Sequence, residues 1–442
     1  MTATLPPIGC LSVSVRRPLA LACLLVALLA PAASAQSPLQ RALGAAMRSA
    51  GGASGAYAVD VTHHRELFSW NSSSRRVLAS NTKLFTLSAA LDRFGAEATL
   101  PTRVYAGGPI DSAGVLNGNL YLRGGGDPTF GDASFVKRHT GGSATVENLA
   151  RAVAATGITQ VNGHVVGDES LFDGLRGGPD SGFGVSIYVG PLSALSFDRG
   201  LANSRGTAFQ SSPPKFSAGK LAAALSEQGI RIRRTPSTGE TPEGATLVGE
   251  VDSPTLGRLA DLTAKESDNY FAEMLEKDLA AGPQPQLPPP PPGQPLPGFQ
   301  QPPNPQGTTT KGARAAVGFA KTVGARARLV DGSGLDRADQ ASPRDLAALL
   351  DGIQSRPWFP ELFDALPVAG RDGTLHDRMR HNAARGRCHA KTGTLVGVSS
   401  LSGYCQAASG DTVVFSILMN GVSVTGARAA QDRMAGALVK YG

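Results

Sequence analysis

An α+β fold is what this 442-residue chain predicts: a mostly antiparallel sheet held between helices and interrupted by an α/β insert. Three observations carry that prediction. Alternating apolar runs at 56–61 and 66–70, joined through a polar turn at His63-His64, read as a strand pair. Directly after them, Leu84, Phe85, Leu87, Ala90, Leu91 and Phe94 recur at helical spacing until Gly95 stops them. A second polar motif ahead of a helix, near Ser267, lies too far downstream for a short connection to join the two.

From the N-terminus, Arg16-Arg17, an apolar run at 19–29 and Ala33-Ser34-Ala35 ahead of Gln36 form the pattern of a signal peptide over 1–35. The run is too short to span a bilayer, and Ala20-Leu21-Ala22 gives Cys23 a poor lipidation context. The mature chain is therefore expected in the periplasm or extracellular envelope, with no stable membrane span. Losing Arg16 and Arg17, with no acid before Gln36, takes the formal charge from +7 to +5. That excess is scattered, with no dense basic block interleaved with aromatics, which argues against nucleic acid as a partner.

Strand-like runs at 116–123, 161–166 and 246–251, with a helical piece near 146–156, make 101–253 the inserted domain, leaving 36–100 and 254–442 as the main one. A proline-rich tract at 283–307, with Pro288 to Pro292 consecutive, reads as a surface loop between the helix starting near Ser267 and another after Thr308. Val396-Gly397 reads as a two-residue hairpin turn. In that register Leu395 faces Val398 and Cys388 lies opposite Cys405, so a cross-strand disulfide is expected in an oxidising compartment, the alternative being two buried thiols. The run at 427–441 is an amphipathic helix, expected to pack on the sheet and not on a membrane.

Three strings carry chemistry, in this order: Ser80-Asn81-Thr82-Lys83, Ser267-Asp268-Asn269 and Lys391-Thr392-Gly393. Each is weak alone. Ser-x-x-Lys also occurs at Ser134, Ser212 and Ser217, and Ser-x-Asn recurs at Ser69; Lys-Thr-Gly occurs once. Ser134 runs into His139-Thr140-Gly141-Gly142 and Ser212 into Pro213-Pro214, contexts read as hostile to a helix. Ser217 is a rival, because 220–225 favours a helix, but Ser80 has the strand pair before it and the apolar helix after it.

Residues three apart on a helix share a face, so Lys83 reaches the Ser80 hydroxyl. A free lysine is protonated, so it serves as a base only when desolvation or a neighbouring cation, here Lys391, lowers its pKa. Lys391 by charge and Thr392 by its hydroxyl would bind a substrate carboxylate, with Gly393 allowing close backbone approach. Backbone N–H groups of Ser80 and Thr394 would form an oxyanion hole. Ser267 would pass a proton to the leaving amine, and Asn269 would hold Lys83 and the substrate in register.

With Gly125-Gly126-Asp127-Pro128-Thr129, Lys265 to Asn269, Asp331-Gly332-Ser333-Gly334-Leu335 and Gly370 to Leu375 added, the chain from about residue 38 resembles the penicillin-binding D-alanyl-D-alanine carboxypeptidase/endopeptidases of low-molecular-mass class C. The resemblance implies a serine β-lactamase/penicillin-binding-protein-like catalytic domain. It also implies hydrolysis of peptidoglycan stem peptides through an acyl-enzyme on Ser80, acylation by β-lactam inhibitors, and no cofactor. Such proteins often carry a small β domain inside the insert, for which the stretch between Asp198 and Lys215 leaves almost no room. A serine β-lactamase or esterase is the first alternative, weakened because no Glu between Glu276 and Glu361 stands ready to deacylate; an inert wall-binding protein is the second, weakened by the intact motifs. No His-Glu-x-x-His is present, His63-His64, His376 and His381 lack ligand spacing, and no metal is expected.

Overall fold

The main sheet runs in the order Cys388–Leu395, Val398–Gln406, Thr412–Asn420, Ala53–Asp60, Arg65–Trp70, every neighbour antiparallel. The computed structural model describes residues 1–4, 9, 36–203, 205–282, 298–300 and 306–441. The expected signal peptide over 1–35, apart from 1–4 and 9, and most of the proline tract at 283–307 lie outside the described residues. Residues 38–442 make one compact unit.

Period-two alternation along Thr412–Asn420 explains why the sheet needs cover on both faces. Phe415, Ile417 and Met419 point to one side, where they pack with Leu43 and Met47 of the Pro38–Ala50 helix and with Met434 and Leu438 of the C-terminal helix, Val424–Val439. That helix lies in the core, as its amphipathic pattern suggested. Val414 and Leu418 point to the other side, into the cluster formed by Leu84 and Phe85 of the Thr82–Phe94 helix, Tyr270 and Met274 of Asn269–Ala281, and Leu346 and Leu350 of Pro343–Gly352.

The edge strand is the one that carries Lys391-Thr392-Gly393. Its pairing places Leu395 opposite Val398 and Cys388 opposite Cys405, whose sulfurs are bonded at 1.99 Å. Gly393 permits a close approach that no side chain would: a Cβ there would sit 2.2 Å from Ser400 Oγ and 2.9 Å from Ser80 N. The edge strand and the nucleophile turn therefore touch through backbone.

Between the first helix and residue 254 lies a second sheet, ordered Ser237–Thr238, Val165–Asp168, Asn119–Arg123, Pro101–Gly107, Thr246–Asp252, with parallel and antiparallel pairs mixed. Its core of Val104, Leu120, Leu122, Leu149, Phe197 and Leu221 is separate from the two clusters of the main sheet. The stretch after the Asp198–Gly200 turn is a small hairpin closed by a Leu201–Phe209 bridge, which leads into the Pro213–Glu227 helix.

Phe415 is fully buried at the centre of the main sheet, so Phe415→Ala is expected to cost ~3–5 kcal/mol in a denaturant titration, the range for deleting a core aromatic ring. Val396 at the hairpin tip is 88 % exposed, and Val396→Ala should change stability by no more than about 0.5 kcal/mol.

Candidate active site

Ser80 sits in a single 3-10 turn, Ala79–Asn81, that feeds the Thr82–Phe94 helix. Ala79 has a positive φ of 47°, a left-handed conformation that costs a non-glycine residue about 1–3 kcal/mol. Ser267 repeats the pattern at φ 59°. Both strained residues belong to or adjoin the motifs, where packing holds them: a Cβ on Gly334 would lie 2.0 Å from the Ala79 carbonyl oxygen, so only glycine fits against that turn.

The helical spacing puts Lys83 Nζ 3.1 Å from Ser80 Oγ. The amine also donates to Asn269 Oδ1 at 2.7 Å and to the Ser333 carbonyl at 2.7 Å. Asn269 starts its helix, capped by Asp268, whose side chain accepts from Phe271 N–H; Asn269 Nδ2 donates to the Tyr188 carbonyl at 3.2 Å. From the sheet, Lys391 Nζ donates to Ser267 Oγ at 2.8 Å and to the Thr392 carbonyl at 2.9 Å, while Asn81 Nδ2 donates to the Lys391 carbonyl at 3.0 Å. The three strings are thus brought together, each tied to another.

They open on a cleft of about 860 Å³ lined by Ser80, Ser267, Asn269, Thr392, Gly393 and Thr394. Asp180 and Tyr188 of the segment read as the insert also line it, and so does Arg428 of the C-terminal helix, whose Nη2 lies 3.1 Å from Thr394 Oγ1. Thr392 Oγ1 pairs with Thr374 Oγ1 at 2.8 Å.

Both lysines are fully buried. Burial is the main reason that the Lys83 amine is lowered to about 8; the charges facing it, Asp331, Glu273, Asp268 and Asp339, oppose that change. Burial, more than any neighbouring cation, thus lowers Lys83. Lys391 lies well below the ordinary lysine value, first through burial and then through the charge of Lys83, a repulsion that the two amines share. Its amine is also enclosed, so it meets the cleft through the Ser267 hydroxyl and not as an exposed charge.

Two of the discarded serines turn out to lie on helices. The Ala133–His139 helix forms before Gly141 can stop it, and there Ser134 Oγ bonds Asp132 Oδ1. Pro213-Pro214 occupy the first turn of Pro213–Glu227 with Ser212 as its cap, positions where proline's missing N–H is not needed. Ser217, the rival nucleophile, is buried and donates to the Pro213 carbonyl at 2.8 Å. Sequence spacing also missed the company of His63: its Nδ1 is 3.0 Å from Asp60 and 3.5 Å from Asp411, with Tyr441 O–H donating to Asp60 at 3.2 Å. Spacing along the chain could not show this, since Asp411 arrives from the neighbouring strand pair. Ser333 was missed as well, its string having entered only through the resemblance.

A serine flanked by a desolvated amine, with a second serine–lysine pair across the cleft, defines a serine acyl-transfer enzyme. The chain belongs to the D-Ala-D-Ala carboxypeptidase 3 (S13) family, whose pattern it matches over residues 39–211 and 304–441, and it is a hydrolase of that class. It is 28 % identical to the D-alanyl-D-alanine carboxypeptidase of Actinomadura sp. strain R39, an alignment covering 88 % of this chain and 82 % of the relative. With carboxypeptidase DacB of Mycolicibacterium smegmatis the identity is 30 %, over 82 % of this chain and 75 % of the relative. The fold matches penicillin binding protein 4 (dacB) from Haemophilus influenzae with a TM-score of 0.71 at 21 % identity, covering 90 % of this chain and 99 % of that one. The α+β expectation holds.

As the base that the sequence predicts, Lys83 would work as the neutral amine, so activity is expected to rise with pH through about 8. A kcat/KM profile for D-alanine release should drop about tenfold per pH unit on the acid side of that value.

Proposed function

We propose that Ser80 is the nucleophile of a carboxypeptidase/endopeptidase acting on D-alanyl-D-alanine stem peptides of peptidoglycan in the cell envelope, and that β-lactams acylate the same oxygen. The observation that carries the reading is the convergence of a buried Lys83 amine on Ser80 Oγ at 3.1 Å with a Lys391–Ser267 contact at 2.8 Å on one cleft. Relatives whose names include D-alanyl-D-alanine carboxypeptidase, and a similar fold solved with a β-lactam bound, support the substrate and the inhibitor class.

In this reading Ser80 Oγ attacks the carbonyl carbon of the penultimate residue and its proton passes to Lys83. Backbone N–H groups of Ser80 and Thr394 receive the oxyanion, a contribution of about 3 kcal/mol per donor. Collapse breaks the C–N bond. The departing nitrogen takes the Ser267 proton, and Lys391 resupplies it, so the proton gained by one lysine balances that lost by the other. Lys391 must be an ammonium to do so, and the substrate's own terminal carboxylate, seated at Thr392 and Thr394, favours that form against burial. Water then attacks the ester, giving a proton through Ser267 to Lys391 while Lys83 returns its proton to Ser80 Oγ, which frees the shortened peptide and resets both lysines.

The segments 36–100 and 254–442 supply this chemistry, and 101–253 contributes Asp180 and Tyr188 as the outer wall of the cleft. Arg199 binds Asp268 through two nitrogens at 2.5 and 3.0 Å, fixing that wall to the second motif. Among the described residues no helix is long and apolar enough to cross a membrane.

A fluorescent penicillin should label the purified protein stably, Ser80→Ala should abolish the labelling, and the wild type should release D-alanine from a pentapeptide. Rapid turnover of the drug without D-alanine release would favour a β-lactamase instead.

A further inference from the structure

We infer that Glu273 is a positioning residue for acyl transfer, holding the Ser333 peptide so that the Lys83 amine turns its lone pair toward Ser80. This rests on the function proposed above.

A neutral lysine amine has two hydrogens and one lone pair, and Lys83 Nζ has three oxygen neighbours. Two of them, Asn269 Oδ1 and the Ser333 carbonyl, both at 2.7 Å, are acceptors only. Asn269 cannot flip without loss, because its Nδ2 donates to the Tyr188 carbonyl at 3.2 Å. When both hydrogens go to these acceptors, the lone pair is left for the third neighbour, Ser80 Oγ, the only one that can donate. The orientation of the base is therefore set by whatever fixes the two acceptors.

Glu273 fixes one of them. It stands four residues after Asn269, on the same face of the Asn269–Ala281 helix, and is 1 % exposed. Its Oε1 accepts from Ser333 N–H at 2.9 Å, so one peptide group links the carboxyl to the Lys83 amine: N–H to Glu273, C=O to Lys83. Asp331 Oδ1 shares that N–H at 3.1 Å. Hydrogen bonds in such a chain strengthen one another. Among the described residues Glu273 Oε2 has no hydrogen-bond partner, so no donor there stabilises a carboxylate charge. Were Glu273 to ionise, its charge would hold the proton on Lys83 and remove the lone pair.

Glu273 is faced by Glu276 on its own helix, by Lys83 and by Asp331. Asp268 and Asp339 act on the same amine, and Lys83 in turn acts on Lys391 from the sheet. Lys277, one turn on, is paired with Asp173 at 2.5 Å, and Asp180 of the cleft wall is influenced by Asp331. Burial, then Asp331, pushes the Glu273 carboxyl up to about 8, so it gives up its proton over the same range as Lys83, and its charge there opposes the loss of the Lys83 proton.

Two variants test this, read by the pH profile of penicillin acylation at Ser80. Glu273→Gln keeps the acceptor for Ser333 N–H and cannot ionise: the plateau rate should be retained, and the rising limb should move to lower pH by about one unit. Glu273→Ala loses the acceptor: the plateau should fall about tenfold, with a Gln-like shift of the limb. A Glu273→Ala plateau equal to that of the wild type would overturn the inference, and so would a Glu273→Gln plateau that falls as far as expected for alanine although the acceptor is kept. Absence of wild-type labelling would instead overturn the functional reading beneath it.

Discussion

Taking the Lys83 amine out of water is the constraint on which the rest of the site depends, because a solvated lysine keeps its proton at neutral pH and has no electron pair for a serine hydroxyl. Desolvation alone would be costly for a group that must also accept a proton in the reaction. The structure offsets that cost with three oxygens at hydrogen-bond distance and four carboxyl groups nearby. The result is a balance: burial pulls the amine down, the acids pull it back, and it settles within reach of the pH at which a base is useful. Lys391 is lowered by burial and by the charge of Lys83, with no carboxyl group among the causes that act on it.

The fold explains how a buried amine meets an accessible serine. Ser80 lies in a 3-10 turn just after Ala79, a residue of positive φ, so it is half-exposed in the cleft while Lys83, one turn further along, is buried. Glycines at 334 and 393 let two backbones close on that turn from either side. The edge position of Cys388–Leu395 leaves its outer side free to face the cleft, and its disulfide and hydrogen-bonded partner strand keep the register that points Lys391 inward.

What the sequence made legible was whatever depends on local periodicity. The Ser80–Lys83 pair, the helix that follows, the hairpin register and the packing of the C-terminal helix all follow from three- or two-residue repeats read over short distances. Cys388 and Cys405 are a case in point: one turn assignment at Val396-Gly397 set the whole pairing. What stayed hidden depends on which distant segments meet. The Ser333 carbonyl under Lys83, Arg428 beside Thr394 and Asp411 beside His63 have no periodic mark. The carboxyl groups around Lys83 were hidden in the same way, since Glu273, Asp331 and Asp339 come from separate segments. Ser134 and Ser212 show the limit of breaker residues: glycine ends a helix only after it has formed, and proline is welcome in a first turn.

The central claim is that Lys83 is the base because burial lowers its amine. Titrating that amine directly by NMR in protein with isotope-labelled lysine side chains, its signal assigned by its loss in Lys83→Arg, is the most direct test. The account predicts a midpoint near 8 in the free enzyme. A midpoint near the ordinary lysine value of about 10.4 would contradict it.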